Sequence, residues 1–145
     1  MTGPGKILLV DDEAHIRKFV GLVLKKICRA TILEAPDGLA ALALYAQEKP
    51  DLILLDVNMP NLDGIQTLER LRLTAPEANV VMLTSLTNRQ TVEQCVQLGA
   101  LDYIRKDTPR DQMSAQLQQI LTDCLELPDE SAIRDPEPGQ QPAAL

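Results

Sequence analysis

The sequence predicts an α/β fold: a doubly wound, five-stranded parallel sheet flanked by five helices. Two observations carry that prediction. Short apolar runs recur along the chain as KILLV, ATILEA, DLILLD, NVVMLTS and LDYIRK. Each is followed by a segment with helical periodicity or helix-end signals. Helical crossovers between apolar strands imply parallel pairing with helices on both faces, and right-handed crossovers narrow the topology to a doubly wound sheet. In such sheets ligands sit outside the carboxyl ends of the strands. This chain collects its polar groups there.

The first strand, KILLV, runs into three acids, Asp11, Asp12 and Glu13. From Glu13 to Cys28, apolar residues at Ile16, Phe19, Val20, Val23, Leu24 and Ile27 form a helical stripe. ATILEA is a short second strand. Asp37-Gly38 opens a second helix, rich in Ala and Leu, which stops at Pro50. DLILLD is the third strand, apolar until its closing acid, Asp56. VNMPNLDG is a loop by its Asn, Pro and Asp-Gly. IQTLERLRLTA is the third helix, ending near Pro76. NVVMLTS is the fourth strand, with Thr84 and Ser85 at its end. NRQTVEQCVQLG is the fourth helix, with Gly99 as its C-terminal cap. LDYIRK is the fifth strand and ends in Lys106. Thr108-Pro109 reads as a cap followed by proline at the first helical position, opening a fifth helix that runs to about Leu125.

Composition bounds the function. The chain has 145 residues, enough for one domain with a real core. Hydrophobic residues make up 45% and aromatic residues 2%, so the core must be built from Leu, Ile, Val and Ala. The net charge of −7 argues against nucleic-acid or anionic-membrane binding by this chain, and permits cations and basic partners. Cys28, Cys95 and Cys124 are odd in number and widely spaced, as expected of unpaired thiols in a reducing cytosol. The opening MTGPGK leads straight into a strand without a signal-peptide pattern, and no apolar run approaches the ~20 residues of a membrane span. The expected organisation is a lead-in over 1–5, a single domain over 6–126, and a disordered, acidic, Pro-rich tail or linker over 127–145.

Four strands therefore deliver Asp11, Asp12, Asp56, Thr84, Ser85 and Lys106 to one edge. Two like charges about 4 Å apart repel by roughly 4 kcal/mol at an effective dielectric near 20, so the acids need a counter-charge. Three carboxylates suit a hard cation such as Mg²⁺, which takes oxygen ligands and is often held by one or two carboxylates plus a phosphate. Lys106 supplies further positive charge. A carboxylate beside a cation, a lysine and a hydroxyl is also a competent nucleophile, and aspartyl phosphates are established intermediates. Taken singly, the acid pair reads equally well as charge at a helix start, Thr84 as a strand-end hydroxyl and Lys106 as a solvated lysine. Their convergence on one edge is what points to phosphoryl chemistry.

Five pieces, LLVDDE, APDGLAAL, PDLILLDVNMPNLDG, VVMLTS and GALDYIRK, occur in order and at matching spacing. In them the chain resembles the receiver domain of bacterial two-component response regulators, of the stand-alone type. The resemblance covers residues 6 to about 125 and implies a flavodoxin-like fold. It implies that Asp56 accepts the phosphoryl group. Asp12, Asp56 and the backbone carbonyl of Asn58 would ligate Mg²⁺, for which Mn²⁺ could substitute, with Asp11 acting partly through water. Lys106 would pair with Asp56 or its phosphate, and Thr84 would move its hydroxyl onto the phosphate. Tyr103 would then swing inward, coupling the site to the face of the fourth helix, fifth strand and fifth helix.

On this reading the chain is a cytoplasmic switch that catalyses only its own phosphorylation and dephosphorylation. The donor would be a phosphohistidine on a sensor histidine kinase or a histidine phosphotransfer protein. The output would be a protein partner, without direct nucleic-acid contact. A phosphorylation-dependent homodimer is also implied, with Asp102, Arg105, Arg110 and Asp111 available for ion pairs across it. The alternatives are the receiver portion of a longer regulator and a phosphate-independent interaction domain. An aspartyl phosphohydrolase would need a second acid two residues after its nucleophile, and Asn58 stands there.

Two positions depart from the common receiver pattern. Asp107 follows Lys106 where many receivers have proline. A cis bond before a non-proline costs about 2.5–4 kcal/mol, so a trans bond is expected. Leu86, two residues after Thr84, replaces a residue that is often polar. Leu86, Ser85 and Asn58 would govern access to the phosphate, and an apolar shield there predicts a fairly long-lived phosphorylated state.

Overall fold

The computed structural model describes residues 5–85 and 89–125. The elements are β1 (Lys6–Val10), α1 (Ala14–Ile27), β2 (Thr31–Ala35), α2 (Gly38–Glu48), β3 (Leu52–Asp56), α3 (Gly64–Thr74), β4 (Val80–Thr84), α4 (Arg89–Gln97), β5 (Asp102–Arg105) and α5 (Arg110–Leu125). All strand pairs are parallel, in the order β2-β1-β3-β4-β5. This is the doubly wound α/β fold that the alternating pattern predicts, in the flavodoxin-like form that the resemblance implies. The lead-in up to residue 4, Leu86 and the tail after Leu125 lie outside the described residues.

The order follows from burial. β3 and β4 are buried along their whole length, and β1 is buried from Ile7 to Val10. The outer strands β2 and β5 carry the exposed residues Thr31, Glu34, Asp102, Tyr103 and Arg105. Because side chains alternate across a strand, each apolar run feeds two cores. Ile7, Leu9, Leu52, Leu54, Val81, Leu83 and Ile104 pack on one face with Val20, Val23 and Leu24 of α1 and Met113, Leu117 and Leu121 of α5. Leu8, Val10, Ile53, Leu55, Val80 and Met82 pack on the other with Leu68 and Leu71 of α3, Ala41 of α2 and Cys95 of α4. Each fully buried Leu or Ile contributes roughly 1.5–3 kcal/mol by leaving water.

The same alternation places the site. Counting by twos, Asp11 continues Ile7 and Leu9, Asp56 continues Leu52 and Leu54, and Lys106 follows Ile104. All three therefore emerge on the α1/α5 side of the sheet edge. Thr84 continues Val80 and Met82, and Tyr103 has the parity opposite to Ile104, so these two belong to the α4 side. The cross-strand register holds the rows level, with Val10 opposite Leu55 and Asp56 opposite Leu83.

Local signals explain the helix ends. The Asp37 side chain caps α2 by accepting from the Ala40 N–H at 2.8 Å. Asp63 and Gln66 form a capping box at the start of α3, with bonds of 2.8 and 3.0 Å. α4 ends in a Schellman motif: the Ala100 N–H donates to the Cys95 carbonyl, the Gly99 N–H donates to Val96, and Gly99 has φ +87°. At α5 the Pro109 carbonyl already accepts from the Met113 N–H at 2.9 Å. The proline thus stands at the cap and not at the first helical position that the sequence suggests. No peptide bond among the described residues is cis, so the Lys106–Asp107 bond is trans as expected. The three cysteines are free, and burial pushes each thiol up from its ordinary value, which keeps them poor nucleophiles. Among the described residues no helix is long and apolar enough to cross a membrane.

Candidate functional site

Asp11 and Asp56 are buried at the ends of β1 and β3, at 0% and 1% exposure. Lys106, directly after β5, reaches between them. Its Nζ lies 2.8 Å from Asp11 Oδ2, 3.0 Å from Asp56 Oδ1 and 3.4 Å from Glu13 Oε1. Burial works against the ammonium charge, but contact with Asp11 and Asp56 outweighs it and holds Lys106 above the usual lysine range. Asp12 is exposed at the rim. One carboxylate oxygen each from Asp11, Asp12 and Asp56 falls within 4.8 Å of the others.

The two oxygens of Asp56 differ. Oδ1 is ion-paired with Lys106 and accepts from the Asn58 N–H at 3.2 Å. Oδ2 is buried and has no hydrogen-bond partner among the described residues. A buried carboxylate oxygen without a partner costs on the order of 1–3 kcal/mol or more, so its retention calls for a ligand. Burial, opposed by Lys106 and reinforced by the Asp11 charge, pushes the Asp56 carboxyl up to about 7. The residues thus fit a divalent cation: three carboxylate donors, with Asp56 Oδ2 lacking any hydrogen-bond or ion-pair partner among the described residues, and an electrostatic deficit that a cation removes.

The loop after β3 is built around this acid. The Gly64 N–H donates to the Val57 carbonyl at 2.8 Å, drawing the start of α3 against the strand end. A Cβ on Gly64 would collide with the Asp56 carbonyl and come within 2.8 Å of Val57 Cα. Only glycine permits this approach. The Met59-Pro60 and Asp63-Gly64 signals therefore mark a loop fitted to Asp56.

Thr84 is buried at 5% exposure at the end of β4, and Ser85 beside it is exposed. Tyr103 is 39% exposed. Thr84 and Tyr103 line a small cavity of about 20 Å³ beneath α4, together with Val57, Met82, Val92 and Cys95. On the β5–α5 surface, Arg105 forks onto Asp107, with Nη2 to Oδ2 at 2.8 Å and Nε to Oδ1 at 3.0 Å. This Arg105 of the anticipated dimer face is thus engaged locally. Of the sequence-derived set, Asp11, Asp12, Asp56 and Lys106 meet at one point, and at Asn58 it is the backbone N–H that reaches Asp56. Thr84 and Tyr103 form a second group on the α4 side.

Sequence reasoning gives no part to two arginines that the fold uses. Arg17 of α1 donates through Nη1 to the Asp11 carbonyl at 2.6 Å and through Nε to Glu34 Oε1 at 2.9 Å. Arg72 of α3 donates to the carbonyls of Leu98 (2.7 Å), Pro76 (2.7 Å) and Gly99 (3.3 Å), tying down the end of α4. Arginines on helices read as solvated charge, and apart from Glu34 their targets are backbone oxygens, which carry no sequence signal.

The model of the response regulator receiver domain matches residues 7–118. The chain belongs to that family. It is 39% identical over 104 residues to a protein-glutamate methylesterase/protein-glutamine glutaminase of Trichodesmium erythraeum, covering 70% of this chain and 30% of that protein. It is 31% identical over 114 residues to the chemotaxis protein CheY of Listeria monocytogenes, covering 79% and 96%. The chain thus spans under a third of the methylesterase and nearly all of the chemotaxis protein. Among solved structures it resembles a chain of the CheX–CheY–BeF3–Mg²⁺ complex of Borrelia burgdorferi, with TM-score 0.75, 29% identity, and 83% and 89% coverage. As a receiver, this chain is a phosphoryl-accepting switch of two-component and phosphorelay signalling.

Proposed function

We propose that Asp56 is the phosphoacceptor, that it takes the phosphoryl group from a phosphohistidine, and that the protein then signals by changing what its α4–β5–α5 face binds. The single observation that carries this reading is the buried Asp56 carboxylate beside Lys106, whose Oδ2 has no hydrogen-bond partner among the described residues. In the transfer, an Asp56 oxygen attacks phosphorus, an O–P bond forms as the P–N bond breaks, and the imidazole leaves. Lys106 neutralises charge on the phosphoryl oxygens, favours the ionised form of Asp56 against its burial, and keeps it aimed. Asp11, Asp12, Asp56 and the Asn58 backbone carbonyl would hold Mg²⁺ or Mn²⁺. When bound, the cation would supply positive charge against the phosphoryl oxygens and would lower the pKa of Asp56.

The α4-side group is the readout of this proposal. The Thr84 hydroxyl binds the new phosphoryl group, and Tyr103 fills the cavity beneath α4. Donors are sensor histidine kinases or histidine phosphotransfer proteins, and the acceptor domain spans about residues 6–126. Its site is cytoplasmic, and its face can also serve a phosphorylation-dependent dimer. With Leu86 apolar and Asn58 a weak helper of hydrolysis, the aspartyl phosphate persists for minutes or longer, and a half-life of seconds would refute that part.

Intact mass after incubation with acetyl phosphate tests the chemistry. Wild type should gain one phosphoryl group only with Mg²⁺, and Asp56→Asn should gain none. An adduct on Asp56→Asn, or one that forms equally in chelator, overturns the assignment.

A further inference from the structure

Phosphoryl transfer uses neither Arg17 nor Glu34, yet the two are locked together beside the acid cluster. The Arg17 side chain is 18% exposed, unusually low for an arginine on an outer helix. Its guanidinium is divided between two elements: Nη1 on the Asp11 carbonyl and Nε on Glu34 of β2. The neighbouring residue of β2 also serves Asp11, because the Asp11 N–H donates to the Ala35 carbonyl at 3.1 Å. The Asp11 side chain is fixed as well: Oδ1 accepts from the Glu13 N–H at 2.8 Å, and Oδ2 faces Lys106. Both backbone groups of Asp11 and its carboxylate are therefore held. The carbonyl that Arg17 grips belongs to the Asp11–Asp12 peptide. Fixing that plane fixes where the chain presents Asp12.

We infer that Arg17, pinned by Glu34, is a positioning residue that presents the Asp11–Asp12 pair to a divalent cation. The inference rests on the reading of the acid cluster as a cation site. Its sign is diagnostic. A cationic guanidinium near a cation site opposes binding, so on charge alone its removal should tighten Mn²⁺. If Arg17 acts by placement, its removal loosens Mn²⁺. Partners that orient metal ligands are worth about 10- to 100-fold in affinity.

The test is Mn²⁺ binding to the full chain, read from the electron paramagnetic resonance signal of free Mn²⁺, with thermal unfolding in parallel. Arg17→Met should weaken Mn²⁺ by about 10-fold. Arg17→Lys keeps the charge and the stem but cannot fork, and should weaken it too, which covers the case of a poorly folding Met variant. Glu34→Gln should weaken binding in wild type and have little further effect on Arg17→Met. A lowered unfolding temperature with unchanged Mn²⁺ affinity would make Arg17 merely structural and overturn the inference, as would tighter binding. A wild type that binds no Mn²⁺ overturns the cation reading together with it.

Discussion

The two sides of the sheet hold their helices very differently. On one side α1 buries Val20, Val23 and Leu24 in a core built mostly of Leu, Ile and Val, and its start is stitched to the acid cluster through Arg17 and Asp11. On the other, α4 buries only Cys95, exposes Val96 and lies over a small cavity. Its C-terminal end is tied down where the Schellman motif and Arg72 meet. The acids sit on the firm side, Thr84 and Tyr103 on the loose one. Reaction chemistry benefits from groups fixed before the substrate arrives, whereas a readout element must have few enough buried contacts to move. The asymmetry matches that division of labour.

Core truncation gives the largest way to break the comparison. Leu54→Ala, at a fully buried site on the α1/α5 side, should lower unfolding free energy by about 2–5 kcal/mol in urea titrations. Val92→Ala beneath α4 should cost about 1 kcal/mol or less, because the half-buried site already borders a cavity. Equal costs would mean that α4 is as firmly packed as α1.

Protonation of Asp56 gives a smaller effect with a definite sign. Its folded value of about 7 lies above the ordinary carboxylate value of 3.8. Between these values the folded protein keeps a proton that the unfolded chain has released, so stability falls as pH rises through that window. Asp56→Asn removes the slope. Without divalent cation it should be more stable than wild type by about 1–3 kcal/mol near pH 8, and close to equal near pH 4. Mg²⁺ should narrow the gap at pH 8 by stabilising wild type. A gap that does not change with pH would refute the electrostatic account of Asp56.

Arg72→Met should cost about 1–2 kcal/mol, since three carbonyls lose a charged donor. Amide exchange should quicken at the end of α4 while exchange in α1 is unchanged. Val96→Ala, on the exposed side of α4, should stay within about 0.5 kcal/mol. A larger loss would show that this face is packed against something in the isolated protein.

Much of the site could be read from spacing. Once DLILLD is a strand buried on both faces, period two decides that Asp56 leaves the sheet on the same side as Leu52 and Leu54. The same counting takes Asp11 and Lys106 to that side and Thr84 to the other. Turn signals at Asp37, Asp63 and Gly99 appear as working caps because they act through backbone groups within a few residues. The proline at α5 shifted by one position because helix starts depend on which carbonyl accepts first, and residue type fixes that only loosely.

The sequence alone determined the alternation of elements, the parallel sheet, and the acids, hydroxyl and lysine at its carboxyl edge, because these follow from short-range periodicity and chain connectivity. Tertiary structure decided how they meet. It gave Asp56 one satisfied oxygen and one without a partner among the described residues, set Lys106 between two acids, and put Arg17 on a carbonyl and Arg72 on three. Those outcomes depend on distances between elements far apart in the chain, and on backbone atoms that every residue shares. No residue pattern encodes them.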